Sequence, residues 1–242
     1  MRVRIVQAHP EPASYNGAMS QRAHEALEGA GHEVSLQDLV ASGFDPVEAA
    51  RHYPDRTEAE TFAPLAEQRH GWKSGHLPAD VRREIDALEW ADLLILQFPL
   101  WWHGPPAILK GWFDRVFVSG GLYTSRMRYD TGYFRGKRAL VSVTSGAPEA
   151  ALGPGARGGD FETMLWPLQY SLHYLGFSVL RPFISHGVQG HGYTYEGADS
   201  LRLRLRHNLN EWAGYVLRAD TLEPLTFPGW SDWDSDGRAT AR

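Results

Sequence analysis

Three short stretches of this sequence place small, polar and flat aromatic side chains where they could hold a planar, phosphate-bearing ligand. The first is His9-Pro10-Glu11-Pro12-Ala13-Ser14-Tyr15-Asn16, a polar loop that opens onto a helical pattern. Ser14 and Asn16 can cap that helix or offer hydroxyl and amide donors to a phosphate, and the free N–H groups of a helix start favour an anion. The second is Phe98-Pro99-Leu100-Trp101-Trp102-His103-Gly104-Pro105-Pro106. Its prolines stiffen the loop, its backbone amides can meet a ring edge, and an indole can line the face of the ring. Consecutive tryptophans at a strand end argue against core filling, because at most one of them is expected to point inward. The third is Thr144-Ser145-Gly146-Ala147, whose small side chains let backbone approach a ligand closely.

Each stretch follows a short apolar run. Val3 to Ala8, Leu93 to Gln97 and Lys137 to Val143 read as strands, as do Glu33 to Leu39 and Phe177 to Ile184. Apolar residues at helical spacing mark Asn16 to Gly29, Asp80 to Leu88, Ala107 to Phe117, Phe161 to Leu175 and Ser200 to Leu217. Residues 45 to 78 read as a long excursion. Strands that alternate with helices imply an α/β domain, a five-stranded parallel sheet with helices on both faces. Ligands of such sheets lie beyond the carboxyl ends of the strands, so the three loops should form one pocket. Residues 1 to 225 form this domain, and 226 to 242 an irregular tail whose last eight residues are expected to fray.

Composition narrows the chemistry. The sequence contains no cysteine, which excludes thiolate nucleophiles, Cys-ligated zinc and iron–sulfur clusters, so redox work requires a bound cofactor. A net charge of −5 with both signs dispersed offers no basic arm for nucleic acid. No apolar stretch approaches the roughly 20 residues that span a bilayer. With no secretory h-region at the N-terminus either, the reading is a cytoplasmic protein without membrane insertion.

Weaker motifs have plainer explanations. Gly153-Pro154-Gly155-Ala156-Arg157-Gly158 matches a dinucleotide fingerprint by letters, yet it starts well after its strand and the next strand ends without the acidic residue a ribose needs. It reads as a mobile, glycine-rich loop. His186 and His191 lack a third ligand at a matching spacing, so no metal site is expected. Glu196 and Asp199 suit a helix start, while Asp114-Arg115, Glu84 and Asp86 read as solvated helix faces.

HPEPASYN at 9–16, QFPLWWHGPPAILKGWFDRVF at 97–117, and VTSGAPEA at 143–150 followed by GDFETMLWPLQYSLHYLGF at 159–177 resemble the NAD(P)H:quinone oxidoreductase family. That family also contains bacterial drug-activity modulators and potassium-efflux ancillary proteins. The likeness runs from residue 3 to about 187. It implies a flavodoxin-like fold, a homodimer, bound FAD (FMN in some members), and ping-pong hydride transfer from NAD(P)H to a quinone or similar planar acceptor. By position it implies that His9, Ser14, Tyr15 and Asn16 surround the flavin diphosphate. Pro99, Leu100, Trp101, Trp102 and His103 would hold the ring edge, with Trp102 at the ring. Thr144, Ser145, Gly146 and Ala147 would face the pyrimidine end, where negative charge gathers on reduction. Tyr123 and Tyr174 match positions that, with Trp102, close the acceptor pocket, the two tyrosines coming from the neighbouring subunit.

One departure stands out. The animal quinone reductases of the family relay charge through a tyrosine and a histidine in the loop after the fourth strand, and those positions are Leu152 and Gly158 here. Arg157 lies beside the second. The resemblance leaves a second reading open, a regulatory flavoprotein subunit of a potassium-efflux system. The residues alone leave a third, a non-flavin α/β enzyme that uses the same loops for another phosphate ligand.

Overall fold

The computed structural model describes residues 1–240 except His191, Tyr193 and Tyr195. Its strands are β1 (Arg2–Gln7), β2 (Glu33–Asp38), β3 (Leu93–Pro99), β4 (Arg138–Thr144), β5 (Ser178–Val179) and β6 (Phe183–Ser185). Its α-helices are α1 (Tyr15–Gly29), α2 (Pro64–Ser74), α3 (Ala79–Trp90), α4 (Ala107–Val116), α5 (Phe161–Tyr174) and α6 (Ala198–Val216). The strands pair in the order β2-β1-β3-β4-β5, all parallel, and β6 also pairs with β4. The order reverses between β1 and β3, the switch point where doubly wound sheets bind ligands.

Residue alternation sets the two layers. Leu93 and Ile95 of β3 join Val3, Ile5, Met19, Leu27 and Trp212 in the core under α1 and α6. Leu94, Leu96 and Phe98 join Ile85, Trp112, Phe113, Leu165 and Leu172 in the core under α3, α4 and α5. Every residue of β3 is therefore buried, as expected of a central parallel strand covered on both sides.

The fifth strand departs from expectation. Phe177 to Ile184 forms two pieces, broken over Leu180-Arg181-Pro182, because proline has no N–H to give to the ladder. The edge beyond β5 is covered by chain: Leu225 N donates to Val179 O at 2.7 Å, and Leu180 bridges Pro224. Covering an edge in this way blocks pairing with another molecule.

The 45–78 excursion contains a helix, α2, and is strapped to α4. Arg115, fully buried, donates to Asp45 O at 2.8 Å and pairs with Asp80 at 2.5 Å, against the expectation of a solvated helix face. Gly111 is required beneath the strap, since a Cβ there would meet Pro46 O at 2.1 Å. Glu84 also departs from that expectation. Its buried carboxylate takes both oxygens to Arg4 Nη2 and accepts from Trp112 Nε1 at 3.1 Å. Asp86 alone of that pair remains on the surface, bonded to Arg82.

The tail is irregular but docked. Trp230 N donates to Asp130 Oδ1 at 3.0 Å, and the Trp233 ring lies 4.6 Å from Tyr129. The frayed end expected for the last eight residues falls partly on 241 and 242, outside the described residues.

Candidate active site

The loops after β1, β3 and β4 and the start of α1 converge on one cavity of about 780 Å³. Ligand pockets commonly span roughly 300 to 1,000 Å³. Of the sequence-predicted residues, His9, Ser14, Tyr15, Asn16, Pro99, Leu100, Trp101, Thr144, Gly146 and Ala147 line it.

Ser14 caps α1, its Oγ accepting from Gly17 N at 3.2 Å. Gly17 lets the loop wrap close, because a Cβ there would meet Pro12 O at 2.1 Å. Asn16 is buried and works as a tie: Nδ2 donates to Thr144 Oγ1 at 3.0 Å, and Oδ1 accepts from Gln97 Nε2 at 2.9 Å. The amide expected to meet a phosphate thus fastens α1 to β3 and β4 beneath the cavity floor. Tyr15 donates to Leu205 O at 3.1 Å, and burial raises its pKa above the ordinary tyrosine value.

The second loop makes a two-residue turn. Trp101 and Gly104 exchange both backbone hydrogen bonds at 3.0 Å, with Trp102 at φ 50° and His103 at φ 63° between them. Left-handed backbone at two non-glycine residues costs roughly 1–2 kcal/mol each, a strain that clusters at functional sites. The turn leaves Trp101 against the cavity, its ring 5.9 Å from His9, and projects Trp102 outward at 97% exposure. Neither indole is buried, in keeping with the expectation that at most one points inward: one ring lines the cavity and the other is in solvent. Within this chain Trp102 and His103 do not line the cavity.

At the third loop, Ser145 turns away from the cavity. Its hydroxyl donates to Ala147 O at 2.9 Å and lies 3.1 Å from His186 Nδ1. Burial lowers the pKa of the His186 ring. Gly187 N and Val188 N donate to Ala147 O and Ser145 O, leaving the N–H groups of Gly146 and Ala147 without an acceptor among the described residues. The predicted relay positions lie apart from the cavity. Gly158 N donates to Ala151 O, and Leu152 packs on the core within a loop closed by its own backbone bonds.

Sequence reading missed a fourth wall, formed by Val188, Gln189, Gly190 and Leu205. The signal was available, since SHGVQG follows a strand just as the other loops do. Arg204 of α6 braces this wall by donating to His186 O and Gly187 O at 2.8 and 2.9 Å while it pairs with Glu196. Glu196 is therefore a partner of Arg204 just outside α6; Gly197 is the N-cap, and Asp199 lies in the first turn as expected of an acidic residue at a helix start. His191, weighed with His186 as a metal ligand, lies outside the described residues.

Tyr123 and Tyr174 are brought together, their rings edge to face with centroids 5.7 Å apart. They line a separate groove of about 420 Å³ with Phe113, Phe117, Tyr170 and Leu65.

The donor set suits a flavin. Among the described residues the lining holds no Lys or Arg, so a phosphate would be met by the α1 start, Ser14 and His9, and a flat ring by Trp101, Leu100 and free backbone N–H groups.

Residues 1–207 match a family described by its flavodoxin-like fold. NAD(P)H dehydrogenase (quinone) 1 of Cavia porcellus is 43% identical over 192 residues, covering 78% of this chain and 70% of that protein. The chain belongs to the NAD(P)H:quinone oxidoreductase family. Another member, the ribosyldihydronicotinamide dehydrogenase (quinone) of Homo sapiens, is 39% identical, with 76% of this chain and 80% of that protein covered. The crystal structure of a candidate quinone reductase from Klebsiella pneumoniae superposes with a TM-score of 0.86 at 33% identity, over 96% of this chain and 91% of that one.

Proposed function

We propose that this chain is an NAD(P)H-dependent flavin oxidoreductase that reduces a quinone or similar planar acceptor. The observation that carries the reading is the cavity at the β1/β3 switch point, lined by the three carboxyl-end loops and by a helix start. Its family membership supports the same chemistry. A flavin bound there supplies hydride acceptance from NAD(P)H and delivery of two electrons to the acceptor.

The chain's own residues bind, orient and shield. His9, Ser14 and the first N–H groups of α1 hold the phosphate end, which makes the pocket selective for an anionic tail without a charged side chain. Trp101 and Leu100 line the ring and exclude water. Gly146 and Ala147 offer fixed N–H donors to an electron-rich ring edge, a role akin to that of an oxyanion hole. No side-chain acid or base is required, which is consistent with Leu152 and Gly158 at the relay positions.

Three finer points belong to the same proposal. The cofactor is FAD, and Val188, Gln189 and Leu205 would offer its second half a wall of the same cavity. The protein works as a cytoplasmic homodimer. Among the described residues no helix is long and apolar enough to cross a membrane. A flat acceptor needs a second apolar face, and the Tyr123–Tyr174 groove of the partner subunit supplies it, with the exposed Trp102 at the seam. The regulatory-subunit reading draws no support from the relatives above, which are named as dehydrogenases and reductases.

The test measures flavin mass, assembly and turnover together. The reading expects a yellow protein that is bleached by NAD(P)H, recoloured by a quinone and sediments as a dimer. Tyr123→Ala and Tyr174→Ala should change acceptor kinetics and leave flavin content intact. A colourless protein after reconstitution would overturn the flavin reading, and a monomer with full turnover would overturn the shared site.

A further inference from the structure

We infer that Arg128 makes this enzyme selective for planar acceptors that carry an anionic substituent. This rests on the reading of the Tyr123–Tyr174 groove as the acceptor wall. The guanidinium of Arg128 lies over the Tyr174 ring, 4.9 Å from its centroid. Its Nε donates to Thr124 O at 2.7 Å, and neither Nη has a carboxylate or carbonyl partner among the described residues. A half-buried cation is therefore held against the wall with its Nη donors unspent, a group suited to a carboxylate or sulfonate.

The position is fixed from behind. Trp230 Nε1 donates to Arg128 O at 3.1 Å and to Thr131 Oγ1 at 2.9 Å, while Thr131 Oγ1 donates to Arg126 O and Arg128 O. The docked tail thus orders the short loop that presents the cation. Nearby acids leave it available: Asp130 is engaged by Trp230 N, and Asp114 across the groove pairs with Lys110. Lys110 and Asp114 line the groove and pair with each other, whereas Arg128 lies at its Tyr174 end without a carboxylate partner among the described residues.

Steady-state kinetics of the flavin-loaded protein, with neutral 2-methyl-1,4-naphthoquinone against 1,4-naphthoquinone-2-sulfonate, test the assignment. Arg128→Gln should raise KM for the sulfonate about fivefold relative to KM for the neutral quinone, the scale of one partly exposed ion pair. Trp230→Phe, which keeps the ring but loses the N–H, should reproduce part of that loss. An unchanged ratio between the two acceptors in Arg128→Gln overturns the inference. So does a loss confined to the reductive half-reaction with NADPH relative to NADH, which would assign the charge to the donor's 2′-phosphate. Tyr123→Ala separates the two levels. If it alters neither acceptor, the shared-wall reading itself fails, whereas an effect on both beside an unchanged Arg128→Gln ratio removes only the role of Arg128.

Discussion

Asn16 and Thr144, 128 residues apart in sequence, share a hydrogen bond of 3.0 Å between Nδ2 and Oγ1 directly below the cavity. Asn16 also accepts from Gln97 Nε2, so a single buried amide ties the start of α1 to the ends of β3 and β4. Asn16→Ala leaves the Thr144 hydroxyl and the Gln97 amide buried with fewer partners. The expected cost is about 1–3 kcal/mol of stability, with weaker flavin retention. Urea unfolding and flavin content check both, and a variant with unchanged stability would contradict the tie.

Gly146 lies open to the cavity, its virtual Cβ meeting only Val188 O at 3.8 Å. Gly146→Ala should therefore fold normally and keep its N–H. Gly146→Pro removes one N–H donor from the ring edge and should slow bleaching by NAD(P)H by about 10²-fold, the scale for losing one preorganised donor. Stopped-flow absorbance of the two variants gives the comparison.

The tandem tryptophans separate by task. Trp101 lines the cavity, so Trp101→Ala should weaken flavin binding by about 1–3 kcal/mol. Trp102, at 97% exposure and φ 50°, gives its own subunit strain and no burial. Trp102→Gly should relieve about 1 kcal/mol of that strain in thermal unfolding and, on the shared-site proposal, still lower acceptor turnover or dimer affinity. A variant that is more stable and fully active would remove Trp102 from the site.

Two histidines give the stability profile its sign on the acid side. Burial lowers the pKa of His173, whose Nε2 sits 2.9 Å from Pro228 O, and burial lowers that of His186 beside Ser145. A depressed folded-state pKa means that protonation is favoured in the unfolded chain. The stabilisation is therefore present above the unfolded histidine value of about 6.5 and lost as pH falls through the lower folded values. Denaturation midpoints measured from pH 8 to 5 should decline below that point, and His173→Phe with His186→Phe should flatten the decline.

Local sequence determined most of the framework. Apolar runs that alternate with amphipathic helices require a parallel sheet covered on two faces, and the small and aromatic residues at the ends of β1, β3 and β4 mark one ligand edge. These features rest on neighbours a few residues apart, which is why they are legible in a chain read end to end. Only the tertiary structure decided the roles that depend on distant partners. Arg115 and Glu84 look like surface charges until the 45–78 strap and Arg4 bury them. Asn16 lines the cavity as its place in the loop suggests, but only the fold shows that its amide also holds Thr144 and Gln97. The wall from Val188 to Gly190 follows β6, and Arg204 of α6 braces it through the carbonyls of His186 and Gly187, a contact that local sequence does not reveal. Which of two adjacent tryptophans faces the cavity was settled by a turn with two left-handed residues, a backbone choice that side-chain pattern does not encode.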